Sequence, residues 1–108
     1  MPFDGSNYDT PVTNPVTELL EQAWSLIDKP QKWCRGHYHS PDGRRFCSLG
    51  ALQAALFQRY VEPVDYYQAR ILLDRAMSGY TALFNDSSSH RQVADAWQRA
   101  IAASRNHG

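Results

Sequence analysis

Cysteine is scarce in this sequence, with only Cys34 and Cys47 in 108 residues, and lysine is equally rare, Lys29 and Lys32 standing against nine arginines. Two cysteines are too few for the disulfide scaffold of a small secreted domain, and in a reducing compartment both are expected as free thiols. Net charge is missing as well. Eleven basic residues oppose eleven carboxylates, which excludes a whole-molecule field that would draw the chain onto DNA or an anionic membrane. Apolar runs last only a few residues, and the opening MPFDGSNYDTPV has neither a basic start nor an apolar stretch of signal-peptide length. The expectation is a cytoplasmic protein with no membrane partner.

What is present is enough for one folded unit. At 12.3 kDa and 43% hydrophobic residues, a domain of this size buries roughly two thirds of its unfolded surface and reaches a stability of about 5 to 10 kcal/mol without a metal or disulfide. Residues 1–13 mix Pro2, Gly5, Ser6, Asn7 and Pro11 with scattered apolar side chains and read as an extended or disordered arm. Asn14 and Pro15 then supply an N-cap and a first-turn proline, and Val16, Leu19, Leu20, Ala23, Trp24 and Ile27 follow at helical spacing up to Pro30. From Lys32 to Cys47 the period changes. Trp33, Tyr38 and Phe46 are separated by polar and basic residues, and Ser40, Pro41, Asp42 and Gly43 spell a turn.

Ser48 is placed to cap a second helix running to about Tyr60, with Leu49, Leu52, Leu56 and Tyr60 on one stripe. Tyr66, Ala69, Leu72, Leu73, Ala76, Met77 and Tyr80 make a third apolar face, and Tyr80–Asp86 reads as an aromatic connector. Ser89 with Gln92 forms a capping box before Val93, Ala96, Trp97, Ala100 and Ile101. The fold expected is therefore mainly α: a four-helix single domain over 14–108 with a β-hairpin or structured loop between helices 1 and 2. Leu20, Trp24, Leu52, Leu56, Leu72, Trp97 and Ile101 are its expected core.

The pairing of Trp33-Cys34, then Asp42-Gly43-Arg44, then Cys47-Ser48-Leu49-Gly50-Ala51-Leu52, and finally Phe84-Asn85-Asp86 before the last helix resembles a family of small uncharacterised bacterial and phage-associated domains. In that family a tryptophan leads into a Cys-x-x-Gly-Ala-Leu helix and an aromatic-Asn-Asp turn precedes the final helix. The resemblance spans residues 16–103 and implies a helical single domain. It supplies no activity. Phe84 stands where tryptophan is expected, which keeps packing and loses an indole donor.

Three constellations bear on function. Cys47 precedes a predicted helix, where backbone N–H groups and the dipole can depress a thiol pKa, and His90 with Asp86 or Asn85 supplies a base and an orienting group, so a thiol-dependent enzyme using Cys47, His90 and Asp86 is one reading. Against it stands the commoner role of cysteine as a small buried hydrophobe. Cys34, His37, His39 and Cys47 have the right count for zinc but poor spacing, so neither a metal nor a cofactor is expected. A Cys34–Cys47 disulfide is conceivable across hairpin strands and would be worth about 3 kcal/mol, but a reducing compartment argues against it.

The third constellation is charge. Residues 29–47 hold Lys29, Lys32, Arg35, Arg44 and Arg45 against Asp42, net +4, while residues 1–28 hold five carboxylates and no base. Trp33, Arg35, Tyr38, Arg44, Arg45 and Asn85 are the candidate binding residues. Basic groups beside aromatics can clamp phosphates and stack bases, yet no recognised nucleic-acid motif is present. The reading that results is a small non-enzymatic protein-interaction or regulatory domain whose partner is another protein, with nucleic acid the less favoured partner.

Overall fold

Asn14 starts the first helix with extended backbone and an Oδ1 that accepts from the N–H groups of Val16 at 3.1 Å and Thr17 at 3.2 Å, and Pro15 follows where its missing N–H costs nothing. In the computed structural model, which describes residues 14–107, five helices follow: α1 Pro15–Ser25, α2 Ser48–Gln58, α3 Pro63–Ala76, α4 Thr81–Ser87 and α5 His90–His107, with a 3-10 turn at Pro30–Lys32. The arm expected over residues 1–13 lies outside the described residues. No described helix is long and apolar enough to cross a membrane.

α1 packs against α2, α3 and α5; α3 also lies along α5, and α4 bridges α2 and α5. Their inward faces supply one core. Leu19, Leu20 and Ala23 of α1 meet Ala51, Leu52 and Ala55 of α2, Leu72 and Leu73 of α3, and Val93, Trp97 and Ile101 of α5, with Ile27 and Met77 closing the ends. Of the expected core residues, Trp24 is half-buried at its edge, and Leu56 is half-buried and does not join it. Tyr60 is exposed, because α2 ends at Gln58 before the stripe reaches it.

Three expectations are corrected. The helices number five: Tyr80–Asp86, read as a connector, contains α4, whose buried residues Thr81 and Asn85 are polar and so leave no apolar period to read. The segment between α1 and α2 takes the form of a structured loop and no hairpin. Only two isolated bridges occur there, Trp33 with Phe46 in parallel and His39 with Phe46 in antiparallel sense, because Gly36 and Gly43 turn the backbone through positive φ before a ladder can extend. Lastly, the cap of α2 is Cys47, with Ser48 as the first helical residue. The capping box of α5 forms as expected: Ser89 Oγ accepts from Gln92 N–H, and Gln92 Oε1 accepts from Ser89 N–H.

Candidate functional site

Asn85 sits where the loop, α2, α4 and α5 converge, and none of its surface is exposed. Its Oδ1 accepts three hydrogen bonds, from Trp33 Nε1 at 2.7 Å, Ser48 N–H at 3.0 Å and Ser48 Oγ at 2.9 Å. Its Nδ2 donates to the Cys34 carbonyl and to Asp86 Oδ1, both at 3.1 Å. Ser48 Oγ in turn accepts from Trp97 Nε1 at 3.0 Å. A carboxamide is the side chain that can accept on one side and donate on the other in this way. The result is a satisfied buried network joining two indoles to the start of α2.

The loop is fastened at further points. Asp86 Oδ1 accepts from Gly36 N–H at 2.9 Å. Arg35 donates through Nε and Nη2 to the Ser88 carbonyl while its guanidinium lies 5.1 Å from the centre of the Trp33 ring. Where α2 begins, the Tyr38 carbonyl accepts from Cys47 N–H at 3.1 Å and lies so close above Gly50 that a Cβ there would be 1.8 Å from the carbonyl oxygen. Gly50 is thus a packing requirement between loop and helix.

Cys47 and Asp86 line one open cleft of about 600 Å³ together with Gly36, His37, Tyr38, His39 and Ala82. The Cys47 sulfur caps α2, accepting from Gly50 N–H at 3.3 Å. Burial pushes its thiol pKa up, more than the Gly50 and Leu49 N–H groups pull it down, and the Asp86 carboxylate adds to the rise. Helix-terminal activation is thereby outweighed. His90 has other bonds. Its Nε2 meets the Ile27 carbonyl at 2.7 Å, and because a carbonyl only accepts, that nitrogen carries the proton; the ring is stacked on Trp24 at 5.8 Å and edge-on to Trp33 at 5.5 Å. The structure places Asp86 beside Cys47 and commits His90 to the end of α1. At neutral pH, Cys47 of a Cys34→Ser variant is expected to react with iodoacetamide only at the rate of global unfolding, with full labelling in denaturant; fast labelling of that variant while folded, read by mass, would refute this.

Of the candidate binding residues, Trp33 and Asn85 are built into the network and Arg35 is held by Ser88, whereas Tyr38, Arg44 and Arg45 are exposed. Arg35, His37 and Arg45 line a second cleft, about 550 Å³, with Trp33 and Cys34. Among the described residues no group of three or more His, Cys, Asp or Glu side chains is disposed to hold a metal ion. Sequence reasoning missed the outer face of α3. Val64, Tyr67 and Ile71 are 69%, 64% and 43% exposed, and Phe57 and Tyr60 beside the turn into α3 are 87% and 80% exposed. Their i, i+3, i+7 spacing on α3 was the available signal.

No curated protein and no solved structure matches the chain. A model for a family of unknown function, DUF6197, matches residues 11–103. That match takes in all the residues of the Asn85 network and of both clefts, and the chain belongs to the DUF6197 family.

Proposed function

We propose that the domain is a non-enzymatic protein-interaction module that pairs with a second copy of itself through the outer face of α3. The observation that carries this is that α3 is apolar on two opposite sides. Ala69, Leu72 and Leu73 face the core, while Val64, Tyr67 and Ile71 face solvent about half a turn away. An exposed apolar helix face of this kind supports an association site. With Phe57 and Tyr60 it offers on the order of 600 Å² of side-chain surface, close to the roughly 800 Å² per partner of a standard interface. Against a catalytic role, Cys47, Asn85 and His90 are each committed to structural hydrogen bonds.

A second copy is the partner that the charges fit. Glu62 precedes the first turn of α3 and Arg75 lies in its last turn; both are exposed, and neither joins an ion pair among the described residues. Two α3 helices running antiparallel across a two-fold axis set Glu62 of each against Arg75 of the other and oppose their dipoles favourably. The absence of net charge removes repulsion between copies.

Sedimentation equilibrium from micromolar to millimolar concentration tests this. The wild type is expected to show a monomer–dimer equilibrium, and Tyr67→Ser with Ile71→Ser to be monomeric with its helical circular dichroism spectrum retained, since neither side chain belongs to the core. Glu62→Arg and Arg75→Glu are each expected to weaken the dimer and, combined in one chain, to restore it. A wild type that stays monomeric at the highest concentration would overturn the proposal.

A further inference from the structure

The parallel bridge between Trp33 and Phe46 fixes the relation of the two cysteines that follow them. Phe46 N–H donates to the Lys32 carbonyl and Cys34 N–H to the Phe46 carbonyl, both at 3.0 Å, so Cys34 and Cys47 are the next facing pair in the same register. The backbone at Cys47 is still extended, with φ −82° and ψ 177°, before α2 begins. Facing residues on neighbouring strands lie about 5 Å apart, inside the roughly 4.4 to 6.8 Å window for the Cα atoms of a disulfide. Side chains alternate along extended backbone, so Trp33 and Phe46, which pack on the core, point one way and the two cysteines the other. Their surroundings agree: His37 lines both the cleft that contains Cys34 and the cleft that contains Cys47, and the Cys34 sulfur reaches the His37 carbonyl at 3.6 Å.

From this register we infer that Cys34 and Cys47, free thiols in the structure, form an intramolecular disulfide when the protein meets a low-molecular-weight disulfide such as oxidised glutathione. The half-exposed Cys34 reacts first. Its thiolate attacks one sulfur of glutathione disulfide, and one glutathione leaves as thiolate and takes up the proton. Cys47 then loses its proton to solvent and attacks the Cys34 sulfur of the mixed disulfide, releasing the second glutathione. Two protein thiols are oxidised to one disulfide while one glutathione disulfide is reduced to two thiols. The bond closes the 34–47 loop onto the start of α2, the same junction that Gly50 and the Tyr38 carbonyl make. It is a modification site independent of the α3 face.

The test incubates the full chain with excess oxidised glutathione and follows the intact mass, free-thiol count and melting temperature. The expected product is a monomeric chain lighter by two hydrogen atoms, with no free thiol and a Tm raised on the order of 10 °C, reversed by dithiothreitol. Cys47→Ser should stop at a Cys34–glutathione adduct, and Cys34→Ser should remain unmodified while folded. A wild-type product that carries glutathione, or that is linked only between chains, would overturn the inference. So would a thiol count that does not change, or a closed form that melts below the reduced one.

Discussion

Asn85→Ala is expected to remove a large part of the stability of the domain. The substitution strips a common acceptor from the buried Ser48 N–H and Ser48 Oγ and from the part-buried Trp33 Nε1, and leaves the Cys34 carbonyl without its Nδ2 partner. A buried donor or acceptor left unpaired costs about 1 to 3 kcal/mol, and the vacated volume adds to that. Even if half of these groups find new partners, a loss of about 4 kcal/mol follows in a domain whose whole stability is about 5 to 10 kcal/mol. Asn85→Asp separates the two sides of the network: it keeps the acceptor but sets a buried carboxylate against Asp86 Oδ1 and the Cys34 carbonyl, so near neutral pH it should also destabilise strongly, and less so as the pH falls and the carboxyl is protonated. Urea denaturation followed by circular dichroism reads both. A wild-type midpoint for Asn85→Ala would show that the network does not hold the loop.

The second large effect reverses a common rule. Glycine to alanine inside a helix ordinarily stabilises by up to about 1 kcal/mol, yet Gly50→Ala is expected to destabilise by about 2 to 4 kcal/mol, as overpacking against backbone does. The new methyl would meet the Tyr38 carbonyl oxygen at 1.8 Å. That carbonyl cannot withdraw alone, because it accepts from Cys47 N–H in the bridge that pairs His39 with Phe46. The loop must lift as a unit. Thermal melting should show a drop on the order of 10 °C or more, and a rise in Tm would contradict the close approach.

Asn14 before Pro15 and Ser89 before Gln92 announce helix starts through local hydrogen bonds, and local signals are what a sequence displays directly. The inward stripes of α1 and α5 are legible for the same reason, since their apolar residues repeat with the helix. α4 was hidden because it turns Thr81 and Asn85 toward the interior, and polar residues in a core make sense only once their distant partners are known. Ser48 misled for the reverse reason. A serine before an apolar run looks like a cap, but here its hydroxyl is taken up by Asn85 and Trp97 and the capping falls to the Cys47 sulfur. On α3 the sequence carries two apolar stripes, and a single-core reading absorbs one and overlooks Val64, Tyr67 and Ile71.

The network around Asn85 also bears on the order in which the molecule assembles. Its bonds join residues 52, 37 and 49 positions apart, for Trp33 to Asn85, Ser48 to Asn85 and Trp97 to Ser48. Helical turns form within their own neighbourhoods, whereas a junction of this kind waits until most of the chain has been drawn together. The loop layer is expected to dock on helices that have already formed, with few of its own bonds made in the transition state. Damage to Asn85 is then felt chiefly in how fast the native domain comes apart, and little in how fast it forms.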